Sequence, residues 1–336
     1  METKNNWKAW LYLAPALILM LIFTFYPLFN TFTIAFLENY DYMSGENVIA
    51  SIFKEDGGLT LKNFGYVLGI VPKTTSVSMC DVNEVVDGLK TCALIDGQYY
   101  KLSYYKNVVE YAIPNTLIIT FVTVPISVII SLLIAVGLNS IKKLNKIFQT
   151  IFFIPYVTNG IAIGMVFAVI FAGSNGLWNS IFNISGNWID QNATGFRPMF
   201  ALCVYIIWHA LPYKILIFLS GLQGIDKQYY QAAKIDCATK FKTFMRITVP
   251  LLSPQILYIT ITSLIGSFKE YSSIVGLFGQ QGTLKGSYNM YTVVYYVYDN
   301  IADHPELAAA AAVILFVIIM IFTVIQNYIS NKRVHY

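Results

Sequence analysis

Charge is what this 336-residue sequence has least of: 12% of it is Asp, Glu, Lys or Arg, against 56% hydrophobic. Soluble domains carry about 25% charged residues. A chain this apolar lacks the polar surface to cover a single core, which excludes an ordinary water-soluble fold and leaves the bilayer as its solvent. Histidine is also scarce, and His209, His304 and His335 are too scattered to make a metal-ligand spacing. Four cysteines are too few for a disulfide scaffold. Acidic residues are not paired at catalytic spacing, and no GxxxxGK[ST] phosphate loop occurs; "GQQGTLKGS" (Gly279–Ser287) has its glycines at the wrong spacing. The sequence therefore reads as no enzyme, with no cofactor or metal site, and nothing in it points to nucleic acid.

What it does have is long apolar runs. Crossing hydrocarbon takes about 20 helical residues, and six stretches qualify: Ala9–Leu37, Ile113–Leu138, Ile147–Ala172, Met199–Leu222, Ile247–Phe268 and Leu307–Ile329. The first is far longer than the apolar core of a cleaved signal peptide. Six spans put both termini on one side, and alternation fixes the rest. Lys4, Lys8, the Lys142–Lys146 loop, residues 226–246 with five bases against two acids, and Lys332–Arg333 all fall on that side. Short basic loops stay in the cytoplasm, so both termini are expected there, in a multi-pass protein of the plasma membrane.

The opposite side receives residues 38–112. Between Glu38 and Glu110 there are ten acids and six lysines. "LTLKNFGYVL" (Leu59–Leu68) predicts a short amphipathic helix, and Asp96-Gly97 between two strand-like runs predicts a hairpin. Cys80 and Cys92 share this segment, so a disulfide between them is open if it lies outside the cell. Prolines at 15, 27, 125, 155, 212, 250 and 254 punctuate the spans. Such prolines need neighbouring groups to satisfy the freed carbonyls, which suits kinked helices packed around a cavity.

One polar stretch stands out between two spans: "YYQAAKIDCATKFKTF" (Tyr229–Phe244). Tyr230, Ala233, Cys237, Phe241 and Phe244 recur at helical spacing, with the lysines away from them. A basic amphipathic helix commonly rests on anionic lipid. Small residues at Ala232, Ala233 and Cys237 have no use there and favour docking into a groove of a cytoplasmic partner.

The same stretch carries a family resemblance. "QAAKIDCATKFKTFMRITVPLLSP" (Gln231–Pro254) resembles the EAA motif of bacterial ABC-importer permeases, matching at Ala232, Ala233, Asp236, Ala238, Phe244, Ile247 and Pro250. Gln231 stands where that family usually has Glu, and Cys237 where it usually has Gly. Segments on both sides, from "YAIPNTLIITFVTVPISVIISLLIAVGLN" to "TVVYYVYDNIADHPELAAAAAVILFVIIMIFTVIQ", resemble maltose-type carbohydrate permeases, so the likeness spans the chain except most of 41–105.

The resemblance implies an all-α integral membrane fold of six helices, of the type I importer (MetI-like) kind, with a small external α/β insert. It implies residues 1–40 as an N-terminal segment and first span, 41–110 as the insert, and 111–330 as the permease core with a coupling helix at 226–245. It implies carbohydrate import, an oligosaccharide fitting the aromatic and hydroxyl side chains. The partners implied are a second permease, two copies of a cytoplasmic ATPase and an external solute-binding (lipo)protein. Gln231, Ala232, Ala233, Asp236, Cys237, Ala238, Phe241 and Phe244 would meet the ATPase. Tyr213, Ser263, Ser267 and Glu270 would line the solute site, with Trp208 and His209 close by. The spacing of Ser263, Ser267 and Glu270 puts them on one helical face. An importer of glycerol phosphate would want more cations than Lys214 and Lys269. A membrane scaffold without transport, or a transporter without an ATPase, remains as the rival from another class.

Overall fold

The computed structural model describes residues 6–38, 40, 48–53, 58–70, 74–79, 92–95, 98–104, 108–141, 145–173, 176–184, 186–189, 193, 195–279 and 290–331. Among the described residues, four continuous helices are long and apolar enough to cross a membrane: Trp10–Ala35, Ala112–Ser140, Arg197–Gln223 and Pro305–Tyr328. Two bent helix pairs raise the number to six when each pair is one span. The fold is thus the expected helical membrane protein with a mixed insert. It divides into two compact units, Met1–Val109 with Tyr296–Phe316, and Glu110–Tyr295 with Val317–Tyr336.

In the first unit, α1 (Asn6–Met20) passes through a π-helical turn at Leu21–Phe25 into α2 (Tyr26–Ala35). Pro27 explains the turn. It has no N–H to continue the ladder, and the Tyr26 amide reaches back five residues to the Leu21 carbonyl instead. The end of α2 is latched onto the insert. After α3 (Val48–Ile52), the short helix α4 (Lys62–Val67) presents Asn63, whose buried amide donates to the carbonyls of Ala35 and Leu37 at 3.2 and 2.7 Å. The Ala35 carbonyl is one of those a helix C-terminus leaves without a partner. The Lys62 ammonium sits 2.8 Å from Glu38 Oε1, and that hydrogen bond holds its pKa above the ordinary lysine value.

Strands β1 (Thr74–Met79), β2 (Cys92–Ile95) and β3 (Gln98–Tyr104) form an antiparallel sheet in the order β1-β3-β2. The pairing of Ile95 with Gln98 is the hairpin that Asp96-Gly97 predicts. Cys80 lies outside the described residues, and with it the disulfide expected between Cys80 and Cys92.

The second unit is built on α5 (Ala112–Ser140) and α9 (Arg197–Gln223), long helices packed through Leu132, Ala135, Leu138, Ile215, Phe218, Leu219 and Leu222. Between them come α6 (Asn145–Val157), α7 (Gly160–Ile170) and α8 (Leu177–Phe182). One straight span over 147–172 is not what forms. α6 and α7 meet at 104°, because Asn159 takes an extended conformation and its side chain caps the new helix by accepting from the Ile161 amide at 2.9 Å.

The span expected over 247–268 is also bent. The segment Lys240–Leu251 and the helix Ser253–Phe268 meet at 68°, with Pro254 opening the second. Pro250 lies just past a second π-helical turn, Phe244–Thr248, in which the Val249 amide reaches the Phe244 carbonyl. Numbered in order, α10 is Lys227–Ile235, α11 Lys240–Thr243, α12 Val249–Leu251, α13 Ser253–Phe268 and α14 Ser272–Phe278. Two further helices, α15 (Val293–Asn300) and α16 (Pro305–Asn331), follow.

Candidate solute cavity and coupling loop

Tyr213, Ser263, Ser267 and Glu270 line one cavity of about 260 Å³ in the second unit. α9 supplies Tyr213, His209 and Lys214; α13 supplies Thr262, Ser263 and Ser267; α5 supplies Thr123 and Ser127; and α6 supplies Tyr156. Four elements far apart in sequence therefore converge on it. Trp208, expected beside the site, packs on Phe167 with ring centroids 5.2 Å apart and is not among the lining residues.

The aromatic wall is a stack. The rings of Tyr156 and Tyr213 lie 5.5 Å apart and 17° from parallel, and the Tyr213 hydroxyl meets that of Tyr258 at 3.1 Å. Sugar rings present C–H faces that settle on such π surfaces, while hydroxyl groups take up the polar edges. Hydroxyls of Thr123, Ser127, Thr262, Ser263 and Ser267 also line the cavity. Serines in apolar helices commonly bond their own backbone. Ser267 does not: its Oγ is buried and has no hydrogen-bond partner among the described residues. An unmet buried hydroxyl costs about 1–3 kcal/mol, which a bound polar solute would relieve.

Glu270 reaches the cavity differently from the sequence reading. α13 stops at Phe268, so Glu270 does not continue the face of Ser263 and Ser267; it enters from the turn beyond the helix. There its Oε1 accepts from the Ser273 amide at 3.0 Å and caps α14, and its carbonyl accepts from Thr292 Oγ1 at 3.0 Å. The turn forms because a carboxylate close to the start of a helix satisfies an orphan amide.

Thr123, Ser127, Tyr156 and Lys214 were not singled out as site residues from sequence. A signal for the first two exists: Thr116, Thr120, Thr123, Ser127 and Ser131 run along α5 at spacings of three and four, and all are buried. A hydroxyl stripe on one face of an apolar helix marks the face turned away from lipid.

The polar stretch between spans is not one helix. α10 begins at the N-cap Asp226, whose carboxylate accepts from the Gln228 amide at 2.9 Å, and it ends at Ile235. Cys237 follows in the left-handed region, at φ 51°. The Ala238 amide bonds the Ala233 carbonyl at 2.9 Å and the Cys237 amide bonds that of Lys234 at 3.1 Å, the paired bonds of a Schellman ending. Thr239 then caps α11 through the Lys242 amide. The expectation that Tyr230, Ala233, Cys237, Phe241 and Phe244 share one helical face is thereby corrected, since the chain turns at Cys237.

Exposure sorts these residues further. Ala233 is 6% exposed and faces its own chain, and Phe244 is half-buried. Gln231, Ala232, Asp236 and Cys237 are exposed, Ala238 is half-buried, and Phe241 is 71% exposed beside Ile235 at 82%. The loop is tied down by Tyr230, whose hydroxyl lies 3.2 Å from Thr248 Oγ1.

A model of the family described as "Binding-protein-dependent transport system inner membrane component" matches residues 104–335. The chain belongs to that family. It is an inner membrane component, a permease, of a binding-protein-dependent transport system. The permease is 34% identical to the arabinooligosaccharides transport system permease protein AraP of Bacillus subtilis, over 66% of this chain and 71% of that one. It is 28% identical to the probable ABC transporter permease protein MG188 of Mycoplasma genitalium, over 61% of this chain, and spans 63% of that relative's length. Among solved structures, a bacterial ABC transporter importing the acidic polysaccharide alginate matches with a TM-score of 0.65 at 17% identity, covering 98% of this chain and 96% of that one. That likeness establishes the shared permease fold.

Proposed function

We propose that this permease passes a carbohydrate of oligosaccharide class through the cavity bounded by Tyr213, Ser263, Ser267 and Glu270. The observation that supports this most is their convergence: four residues named from sequence line one cavity, with a stacked tyrosine pair on one side and an unpartnered serine on another. The relatives point the same way, AraP being described for arabinooligosaccharides and LacF of Rhizobium radiobacter for lactose. UgpA of Agrobacterium fabrum, 28% identical, is described for sn-glycerol-3-phosphate. A phosphate dianion calls for more than one cation, and the lining residues include a single lysine and no arginine.

The assembly we infer holds this chain, a second permease and two copies of a cytoplasmic ABC ATPase docked on the 226–245 loop. Both termini and that loop lie in the cytoplasm of the bacterial cell. The insert at 41–110 faces outward, where an external solute-binding protein delivers the sugar. Closure of the ATPases pushes on the loop, and that push rocks the core, from 111 to 330, between outward- and inward-open states.

The test is ATP hydrolysis by the co-expressed assembly in nanodiscs, given binding protein and a panel of neutral and acidic di- and trisaccharides. Stimulation by one saccharide class supports the reading. An assembly from which no ATPase co-purifies, or whose hydrolysis ignores every saccharide, overturns it.

A further inference from the structure

Lys214 is an unusual residue in this setting. It stands in the middle of α9, is 5% exposed, and lines the cavity. Its ammonium donates to Ser127 Oγ, while the Ser127 hydroxyl itself is directed at the carbonyls of Thr123 and Val124 on its own helix. An ammonium has three N–H donors, and Ser127 is the acceptor the described residues supply. The carboxylate nearest in kind, Glu270, lines the same cavity but is engaged with the Ser273 amide and forms no ion pair with Lys214.

A buried cation inside a membrane is costly unless it is paired or faces a wet cavity. Among the described residues no carboxylate pairs with Lys214, although Glu270 lines the same cavity, and two of the Lys214 donors have no acceptor there. We infer that Lys214 is a specificity residue that takes the carboxylate of an acidic saccharide, so that the solute carries a uronic-acid unit into the cavity. One ammonium matches one carboxylate. Ser267, with its unpartnered Oγ, supplies a neutral hydrogen bond to the same solute. A neutral sugar offers Lys214 only hydroxyl oxygens, which compensate a buried charge less well than a carboxylate does. This inference rests on the carbohydrate reading of the cavity.

The experiment is equilibrium binding of two matched probes, galacturonic acid trisaccharide and galactose trisaccharide, to the purified assembly in nanodiscs. The wild type is expected to bind the acid about tenfold more tightly or better, the scale of one charge-assisted hydrogen bond. Lys214→Met brings the two probes to parity by weakening the acid, whereas Lys214→Arg keeps the acid preference. Co-purification of the ATPase reports that each variant is assembled. If Lys214→Met fails that check, the comparison of Lys214→Gln with Lys214→Arg decides between charge and fit. Equal binding of both probes by the wild type, or a preference unchanged in Lys214→Met or Lys214→Gln, overturns the role of Lys214 while leaving the carbohydrate reading in place. Binding of neither probe removes both.

Discussion

A Cβ placed on Gly164 of α7 would lie 2.7 Å from the Cα of Gly276 on α14, so the two helices cross with glycine against glycine. In lipid, where the hydrophobic effect gives helices no reason to prefer each other over acyl chains, close backbone packing of this kind holds them together. α14 begins at the Glu270 cap, and the crossing therefore fixes the turn that brings Glu270 to the cavity.

Even alanine at Gly164 meets backbone and forces the helices apart, at a cost of about 1–3 kcal/mol. Gly164→Ala is expected to lower the melting temperature of the assembly and to weaken solute-stimulated hydrolysis. Gly137 has open space around its Cβ direction, and Gly137→Ala is expected to leave melting unchanged or raise it. Thermal melting of both variants in nanodiscs checks the contrast.

Tyr213 is asked to do two separable things, stack and hydrogen-bond. Tyr213→Phe keeps the ring against Tyr156 and loses the contact with the Tyr258 hydroxyl. That change is expected to cost about threefold or less in solute-stimulated ATP hydrolysis, since a half-exposed hydroxyl pair contributes about 1 kcal/mol or less. Tyr213→Ala removes the aromatic wall and is expected to cost about tenfold or more. Equal losses in the two variants would show that the ring is not the working part.

Cys237 carries a side chain in a conformation that favours glycine. The left-handed region costs a non-glycine residue about 1–2 kcal/mol, partly offset in a glycine variant by the greater freedom of its unfolded chain. Cys237→Gly is thus expected to match or modestly exceed the wild type in thermal stability, and Cys237→Val, branched at Cβ, to fall below it. The order glycine, cysteine, valine on a melting series is the outcome to look for.

The buried and exposed halves of the coupling loop should respond differently. Phe241→Asp alters a side chain that is 71% exposed and is expected to release the ATPase while the permease itself melts as before. Ala233→Leu, at a position 6% exposed, is expected to lower the melting temperature of the permease, with or without its partner. Co-purification read beside melting separates the two.

Much of the molecule is legible in its sequence, for identifiable reasons. Span positions follow from apolar runs, because lipid demands about 20 apolar residues wherever a helix crosses. The pairing of Ile95 with Gln98 and the helix near Lys62 follow from turn chemistry and periodicity. The bends do not follow so readily. Proline marks where a ladder is interrupted, yet whether the helix kinks, re-registers through a π turn as at Leu21–Phe25, or turns by 104° as at Asn159 depends on what packs around it. The break at Cys237 escaped because helical spacing continues through it in sequence, while the backbone takes a left-handed residue there. Glu270 lines one cavity with Ser263 and Ser267, but not through the shared helical face that their spacing suggests, since that face ends with α13 at Phe268. Lys214 entered the sequence reading only as a shortage of cations; its place in the cavity wall depends on α9 meeting α5 at Ser127.

Site-directed alkylation tests most directly whether solute enters this cavity. Ser263→Cys, in a chain whose own four cysteines are replaced by serine or alanine, is exposed to a water-soluble maleimide in the assembly, with and without a stimulating saccharide. Saccharide is expected to slow labelling about tenfold, the protection that follows when bound solute covers the wall. Labelling at the same rate in both conditions would contradict it.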